Sequence, residues 1–508
     1  MAPSALLRAL AGLAALLVLG TGIGLAVSKG DTAPADGPVA LEGAAEIRVL
    51  TFNIWLGGDQ VSIRKVVDAI VETRADIVLL QEAEGQTRRL AELTGLVHAS
   101  PATHVISRFP LFDVPGESST MTYAEVRPGR FVALQNLHLT SDPYGPYLVR
   151  DGKTLEEVLK NERETRLPEL EPSLARFKSV ASGGTPVVIG GDFNAPSHLD
   201  WTPAAVEARR LRLAVEWPVS VAVENAGFVD AYRAVHPDPV ADPGITWTYG
   251  YPYPHLEENE VVDRIDQIHV LGDRVEVLAA ELVSDGRVPV ADIRVTPWPS
   301  DHAAVVATLR LVPGRAPALV SVPASVEAGD VLDVRFHADT EDGRLDGGRV
   351  AIVHDGRVVL SRGSNNGTDR GSVVPFGTAG LTPSSTYTAE LRDKAGTVLA
   401  STPFAVFPRG ARPRVAVFDA ELTPGERIVV RWEAAPADRF DWIGLYAAGD
   451  ADQENYLAFA YTGATAAGTT TFDKAAIGGA LDAGDYEARL MRDDGYVTLA
   501  TAGFSVRP

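Results

Sequence analysis

The chain has 508 residues, with 67 acidic and 46 basic side chains and a formal net charge of −21. This surplus of acid argues against a long nucleic acid as the main partner, because phosphate backbones are bound mainly by surplus Lys and Arg. Cysteine is absent, which excludes disulfides, a thiolate nucleophile and Cys-ligated metal sites, and the 45% hydrophobic and 22% charged content excludes collagen and general disorder.

Residues 1–28 have the pattern of an export signal. No residue from 9 to 27 is charged, and Arg8 and Lys29 flank this run. The pattern predicts a signal peptide that is either cleaved or kept as a membrane anchor, since about 20 apolar residues can span a bilayer. A flexible tether rich in Ala, Pro, Gly and Asp is predicted for residues 29–45. We therefore expect an exported protein, secreted or anchored to the outer face of the cytoplasmic membrane.

Residues 46–312 alternate strand-like runs with helical patterns. A helix is predicted over residues 62–73, because its apolar side chains recur on one face. Strands are predicted where short runs rich in Val, Ile and Leu are bounded by turn residues, at 47–52, 76–82, 131–138, 186–192, 262–270 and 304–311. This alternation predicts an α/β sandwich domain.

After Pro313 the chain is rich in β-branched residues and in Gly, Pro and Asp turns. Two segments, 317–408 and 413–508, look like repeats, because residues 385–406 match residues 484–506 nearly in register. A hairpin turn is expected near Lys394 in the first and near Asp494 in the second. Short alternating strands at regular spacing predict two immunoglobulin-like β-sandwich domains. Neither contains a recognisable catalytic set, so we expect spacers or binding modules.

In the first domain, chemically capable polar residues lie at or near the ends of strand-like runs. The candidates are Asn53, Glu82, His138, Asp192, Asn194, Asp266, Asp301 and His302. In open α/β sheets, functional sites form where strand ends gather. Taken alone, Asn53 is also explained as a turn residue, Glu82 and His138 as ordinary strand ends, and Asp192, Asn194 and Asp301 as turn or helix-cap residues. The set as a whole predicts one active site.

The motifs around these residues resemble the endonuclease/exonuclease/phosphatase superfamily, which has the DNase I-like fold. In chain order they are Leu50-Thr-Phe-Asn53, Leu80-Gln-Glu82, Asn136-Leu-His138-Leu, Gly190-Gly-Asp-Phe-Asn194, Arg264-Ile-Asp266 and Ser300-Asp-His302-Ala-Ala-Val305. The resemblance covers residues 46–312 and implies a two-sheet α/β sandwich and a Mg²⁺-dependent phosphoesterase. Members of this superfamily cut DNA, RNA, sphingomyelin and inositol phosphates with nearly the same residues, so the substrate stays open.

Hydrolysis of a phosphate ester requires a cation, a base, donors to the phosphoryl oxygens and help for the leaving oxygen. Glu82 is the predicted ligand for Mg²⁺, or for Mn²⁺ or Ca²⁺ as alternatives, because it offers hard oxygen atoms. Asn53 is expected to be a neutral second ligand or to orient Glu82. Asp301 is expected to bind the metal or to support its ligands.

His302 is the predicted general base, and Asp266 is expected to hold its ring in the correct tautomer. Asn194 and His138 are expected to donate hydrogen bonds to the phosphate. Two roles remain open for Asp192, since in relatives this position is argued to orient the attacking water or to protonate the leaving group.

Three further segments are open to two interpretations each. The aromatic loops 140–147 and 247–255 either form a wall beside the substrate or pack as ordinary loops. His198 is either a contact at the rim or a surface residue. In the last repeat, residues 440–446 and 455–459 resemble the start of the SKICH domain of some inositol polyphosphate 5-phosphatases. The alternative is that Trp442 and Tyr446 are core aromatics of a sandwich.

Three functions follow from these observations. The first is an exported Mg²⁺-dependent phosphoesterase acting on a small or lipid-derived phosphate ester. In the second, the same chemistry acts on extracellular DNA; nucleic acid is less favoured because of the acidic charge. The third is a non-catalytic surface adhesin, which the complete polar set disfavours. Association with the cell envelope or a membrane is expected through the N-terminus or the β domains.

Overall fold

The computed structural model describes residues 43–114, 121–248, 256, 259–286, 291–340, 345–364, 373–453 and 455–508. The expected signal or anchor, most of the tether and most of the aromatic loop 247–255 lie outside the described residues. Residues Leu41–Pro508 form one compact unit. Within the described ranges, none of the helices combines the length and the apolar character needed to span a membrane.

The first domain is built on two sheets. One sheet has seven strands. Across the sheet they are β12 (Ile293–Arg294), β11 (Val275–Ser284), β13 (Ala304–Leu311), β1 (Ala45–Asn53), β2 (Ile77–Gln81), β4 (Val105–Ser107) and β3 (His98–Ser100). All residues of the central β2 are buried, as expected for a strand covered on both faces.

The other sheet has six strands. Across the sheet they are β5 (Leu111–Asp113), β6 (Met121–Arg127), β7 (Arg130–His138), β8 (Val187–Asp192), β10 (Asp266–Leu271) and β9 (Val229–Asp230). Apolar side chains of both sheets meet in one core, which includes Val49, Leu79, Leu134 and Val188. The sheets therefore pack face to face.

Helices cover the two outer faces. Val66 of α1 (Ile63–Thr73) and Leu90 of α2 (Thr87–Thr94) pack with residues of β1 and β2. On the other sheet, Phe177 of α5 (Arg166–Ser182) packs with residues of β7 and β8. The remaining helices of this domain are a 3-10 turn (Leu56–Gly58), α3 (Gly145–Arg150), α4 (Leu155–Glu164), α6 (Pro203–Arg209), α7 (Pro218–Asn225) and α8 (Ala231–Val235). The predicted two-sheet α/β sandwich is thus confirmed.

The rest of the chain forms two β-sandwiches, each with a three-stranded and a five-stranded sheet. The first contains β14 (Leu319–Ser321), β16 (Val331–His337) and β19 (Val373–Gly377), and then β15 (Ser325–Glu327), β21 (Val398–Phe407), β20 (Ser384–Arg392), β17 (Arg349–His354) and β18 (Arg357–Gly363). The strand order is the same in the second sandwich, which supports the interpretation of the two segments as repeats.

The second sandwich contains β22 (Arg414–Val417), β24 (Ile428–Glu433) and β27 (Ala467–Phe472) in its three-stranded sheet. Its five-stranded sheet consists of β23 (Glu421–Leu422), β29 (Thr498–Val506), β28 (Gly484–Met491), β25 (Trp442–Ala447) and β26 (Ala458–Tyr461), and α9 (Lys474–Ile477) follows β27. Trp442 and Tyr446 are buried, but they cluster with Met491 and not with the sandwich core, to which Ile443 and Leu445 of the same strand belong. The prediction that they are core aromatics is therefore corrected, because alternate residues of a strand face opposite sides of the sheet. The SKICH resemblance stays a prediction.

One predicted strand is too long. The strand expected at 262–270 begins only at Asp266. Before it, Asp263 forms an isolated bridge with Trp247. The side chains of Asp263 and Arg264 are buried in polar contacts with Trp201 and Asp230, and we attribute the irregular backbone to these contacts.

Candidate active site

Strand register brings three predicted site residues side by side. β7 and β8 are parallel with His138 opposite Asp192, and β10 is antiparallel to β8 with Asp266 opposite Asp192. In the other sheet, β1 and β2 are parallel and end together at Asn53 and Gln81. Parallel strands end at the same edge of a sheet, so the polar residues that end these strands converge.

His302 lies at the centre of this site and is buried. Its Nδ1 is 2.9 Å from Oδ2 of Asp266, and its Nε2 is 3.8 Å from Oδ2 of Asp192. Its backbone N–H donates to the hydroxyl of Ser300, which itself donates to the carbonyl of Asn53. These contacts fix the ring between two carboxylates.

Asn53 joins the two halves of the site. Its Nδ2 donates to Oε1 of Glu82 at 3.0 Å and to Oδ2 of Asp192 at 3.1 Å. Its Oδ1 accepts the backbone N–H of Trp55 at 3.1 Å. These bonds let Asn53 orient Glu82, and because the amide oxygen keeps a second lone pair, its role as a metal ligand also stays a prediction.

The remaining predicted residues lie around this centre. Nε2 of His138 is 3.8 Å from Oδ2 of Asp192. Asn194 is buried, its backbone N–H donates to Oδ1 of Asp192, and its Nδ2 donates to the carbonyl of Leu139. Asp301 directly precedes His302, and its carboxylate interacts electrostatically with His302, Glu82 and Asp192.

The carboxylates and imidazoles of the site shift one another's protonation. Burial alone would raise the pKa of Glu82, but His138, His302 and hydrogen bonds from Asn53 and the Leu56 N–H hold it below its usual value. Burial would lower the pKa of His302, but Asp266, with further carboxylates, raises it. Burial also raises the pKa of Asp301, against the attraction of His302. The site therefore collects more negative charge than its two imidazoles neutralise.

This donor set fits a divalent cation, because Mg²⁺ and Ca²⁺ prefer several carboxylate oxygens. Ligand atoms of Asp192, Asp266 and His302 all lie within 4.8 Å of one another. Oδ1 of Asp266 is buried, and no hydrogen-bond partner for it occurs in the described part of the chain. The closest approach in this trio is the Asp266–His302 hydrogen bond, which suits orientation of the ring. The predicted ligand set of Glu82, Asn53 and Asp301 stays a prediction.

Comparison with known proteins agrees with this geometry. A sequence model described as "Endonuclease/Exonuclease/phosphatase family" matches residues 50–302. This part of the chain belongs to the endonuclease/exonuclease/phosphatase family. The family's members are hydrolases of phosphate esters, which supports that class of enzyme here.

A curated protein of Caenorhabditis elegans, named "Uncharacterized protein F14F9.5", is 29% identical over 296 residues, which is 51% of this chain and 90% of the relative. Two solved structures at 12% identity also match, each with a TM-score of 0.15. They are the BSP domain of a biofilm associated protein, with 37% of this chain and 29% of that chain covered, and chicken CNTN1 FN1–FN3, with 46% and 90%. Scores this low carry no argument about the fold.

Several residues that hold the site in place were not assigned from sequence; they lie in the first domain, called the family domain below. Buried Asn136 of β7 donates to the carbonyl of Leu80 at 2.6 Å and accepts from Gln81 Nε2 at 2.6 Å. It therefore ties the strand that carries His138 to the strand that precedes Glu82. Asn136 stood inside a recognised motif, so its position was a signal for such a role.

A buried ion-pair network supports the start of β10. Arg264 contacts Asp200 at 2.9 Å and Asp230 at 2.7 Å, and Asp200 also pairs with Arg233 at 2.6 Å. Asp266 follows Arg264 by two residues. The network therefore anchors the backbone that places the carboxylate beside His302.

The described aromatic residues of the two loops lie near the site, and a role beside the substrate stays a prediction. The ring of Trp247 is 6.3 Å from that of His302, which puts it at the wall of the family domain's site. Tyr144 packs on Trp247 at 5.3 Å, but it is buried and its hydroxyl donates to Asp263, so its role is packing. His198 contacts Ser220 and Glu224 and is a structural surface residue.

The last sandwich also reaches the family domain, which its interpretation as a spacer or binding module did not anticipate. Nη1 of Arg439 donates to the carbonyl of Asn136 at 2.9 Å. Asp493 hydrogen-bonds to His104 and to the N–H of Gly85. These contacts join the tail to segments adjoining both His138 and Glu82.

Proposed function

We propose that the chain is an exported, Mg²⁺-dependent phosphoesterase that hydrolyses a small or lipid-derived phosphate ester. The observation that carries the proposal is the His302–Asp266 pair at 2.9 Å, which shares one buried site with Asp192 and Asn53. An imidazole held by a carboxylate beside a cluster of acidic oxygens is the arrangement that metal-assisted attack by water requires.

His302 is the proposed general base. Asp266 occupies Nδ1, so Nε2 is the nitrogen left to take a proton from water in line with the phosphorus atom. The surrounding carboxylates favour the charged ring, so neutral His302 requires that their charge be offset. A divalent cation bound among these carboxylates would supply that offset and would polarise the phosphoryl oxygens.

His138 and Asn194 are the proposed donors to the phosphate. Asn194 uses one N–H on the carbonyl of Leu139, which fixes the plane of its amide and leaves the second N–H for the substrate. Asp192 holds both Asn53 and the backbone of Asn194. These two bonds support a role for Asp192 in fixing donor geometry around the phosphoryl group.

The surface beside the site, formed by Asp494 and nearby aromatic rings, supports a neutral or apolar substrate group over a polyanion. We call this surface the rim. Asp494 is exposed, and its carboxylate accepts the Tyr461 hydroxyl at 2.9 Å and interacts electrostatically with His138 and Glu82. Beyond it, the exposed rings of Tyr456, Phe459, Tyr461 and Tyr496 surround Trp442 and contact it or one another. Negative charge beside aromatic surface disfavours DNA and suits a neutral or apolar group.

Export and association with the cell envelope are part of the proposal and rest on the sequence of residues 1–28. Fractionation of cells that express the full chain, with N-terminal sequencing of the product, tests this part. Recovery of the uncleaved chain in the cytoplasm contradicts it.

Hydrolysis is tested with a generic phosphodiester and a generic phosphomonoester, each with and without EDTA. We expect turnover that EDTA abolishes and Mg²⁺ restores. Sphingomyelin vesicles, inositol phosphates and plasmid DNA then separate the substrate classes. Nicked plasmid without lipid or small-ester turnover replaces this proposal with the nuclease. Absence of turnover on every substrate leaves the adhesin, whereas turnover that EDTA does not affect contradicts the proposed metal dependence.

A further inference from the structure

A turn in the last sandwich packs on the loop that carries Glu82. Asp493, in the β28–β29 turn, is 1% exposed and accepts the backbone N–H of Gly85. Next to it, Nη2 of Arg492 donates to the carbonyl of Gly85 at 3.0 Å. Both backbone polar groups of Gly85 are thus bound by residues about 400 positions later in the chain, since the separation is 408 and 407.

The loop that carries Glu82 adopts a backbone that its sequence does not favour. Glu82 has φ 53° and Glu84 has φ 41°, both in the left-handed region where residues other than glycine are uncommon. Such conformations persist when surrounding contacts hold them. The family domain supplies two of these contacts, from the N–H groups of Leu56 and Gly57 to Glu82. The far end of the loop, at Gly85, is held by the tail.

The fit at Gly85 is close. A Cβ atom there would lie 2.3 Å from Nε of Arg492, so a side chain would displace the tail. Gly495, at the end of the same turn, lies against Glu84, whose Oε2 would be 3.2 Å from a Cβ at Gly495. Two glycines thus allow the turn and the loop to approach at backbone distance.

The turn itself is held firmly. Asp493 has φ 46° and Asp494 has φ 61°, and the N–H of Gly495 donates to the carbonyl of Arg492 at 2.8 Å, which closes a tight turn. The buried carboxylate of Asp441 accepts the N–H of Asp493 at 3.0 Å. The turn is therefore held in place by hydrogen bonds within the last sandwich.

Three contacts of His104 extend the junction to the strand that carries His138. Nε2 of buried His104 is 2.8 Å from Oδ1 of Asp493. The carbonyl of His104 accepts the N–H of Leu80 in β2 at 3.0 Å and Nδ2 of Asn136 in β7 at 3.3 Å. One buried carboxylate of the tail is thus linked to the ends of both strands.

We propose that Asp493 is a positioning residue for the metal site: through Gly85 and His104, the last sandwich holds the Glu82 loop in the conformation that binds the cation. This inference rests on the proposed function only in taking Glu82 as a metal ligand. The last sandwich is then a part of the active site and not a separable module. Asp493 acts through the loop and does not touch the substrate.

The test compares cation binding by the full chain and its variants, with Mg²⁺ titrated calorimetrically and Mn²⁺ followed by electron paramagnetic resonance. Asp493→Asn keeps the size of the side chain but loses one of its two acceptor oxygens, and we expect roughly 10–100-fold weaker binding, as for partners that orient ligands. Arg492→Ala removes the bond to the Gly85 carbonyl and also the 3.4 Å contact between Nε of Arg492 and the buried carboxylate of Asp438. Because the contacts of Asp493 with Gly85 and His104 remain, we expect a smaller weakening. Lys394→Ala, in the corresponding turn of the first sandwich, is the matched control.

Circular dichroism and thermal unfolding establish that each variant is folded. Wild-type cation affinity in folded Asp493→Asn and Arg492→Ala overturns the inference, and so does a wild-type chain that binds neither cation. Weaker binding in both variants supports it even if no tested ester is hydrolysed, in which case only the proposed function fails. If the wild-type chain hydrolyses an ester and the variants bind the cation as tightly as wild type does, the proposed function stands and only this inference fails.

Discussion

Two parts of the chain build the site in different ways. The sheet side, which is the first domain, places the predicted catalytic groups by strand register, as when His138 and Asp266 flank Asp192 on neighbouring strands. The tail side supplies Asp493 and Arg439 from turns of a domain with no catalytic motif of its own. The residues on neighbouring strands meet because the strands share one edge of a sheet. The positions of Asp493 and Arg439 depend instead on how two domains pack.

The two sandwiches differ from each other at the corresponding hairpin turn. They share strand order, and each has a long hairpin, β20–β21 in the first and β28–β29 in the second. At the turn of the first hairpin, Lys394 and Ala395 are exposed. At the turn of the second, Asp493 is buried against the family domain. The two sandwiches thus share a fold, and a few turn residues of the second one pack against the family domain.

The largest expected effect is on the sheet side. His302→Ala should lower turnover by roughly 10²–10⁴-fold, because it removes the proposed general base. Steady-state kinetics on the substrate found active, with thermal unfolding as the control for folding, measures this. Near-wild-type turnover in the folded variant would remove His302 as the base.

The next effect concerns the pH dependence of the junction. Burial, with the charges of Asp438 and Asp493, raises the pKa of Asp441 to about 8. Because this folded value lies above the unfolded value of about 3.9, the folded protein binds the proton more tightly. Stability from this group is complete below about pH 4 and is lost as the pH rises to about 8. Urea unfolding at pH 5, 7 and 9 should show this decrease, and Asp441→Asn should flatten it; an equal slope in the variant contradicts the prediction.

A smaller effect is expected at the rim. Asp494→Asn removes one exposed negative charge beside the site, so turnover of anionic substrates should rise relative to neutral ones by about twofold at low salt. The comparison uses vesicles with and without anionic lipid at two ionic strengths. A gain that is equal for both substrates, or that persists at high salt, excludes this electrostatic role.

The smallest effect is expected in the first sandwich. Lys394 is exposed in its turn, so Lys394→Ala should change the free energy of unfolding by less than about 0.5 kcal/mol and leave kcat and KM unchanged. Urea unfolding and steady-state kinetics measure both. A loss of activity here would show that the two turns do not differ in role.

Much of the sheet side was predictable from single motifs. Asn53, Glu82 and Asp192 each follow or end an apolar run, and buried strands are short and apolar enough to be read from sequence. The start of β10 was missed by four residues, because Asp263 and Arg264 use their side chains in buried polar contacts that periodicity does not reveal. The roles of the individual site residues stay predictions.

The fold class, the repeat of the tail and the set of polar residues expected to meet could be predicted from the chain alone, since these depend on local periodicity and on motifs within short segments. The bonds from Asn53 to both Glu82 and Asp192, and the packing of the Asp493 turn at Gly85, became visible only in the folded protein. An Asp in a tight turn has the same local pattern whether it faces water or another domain. Its burial is settled by packing between segments 408 positions apart.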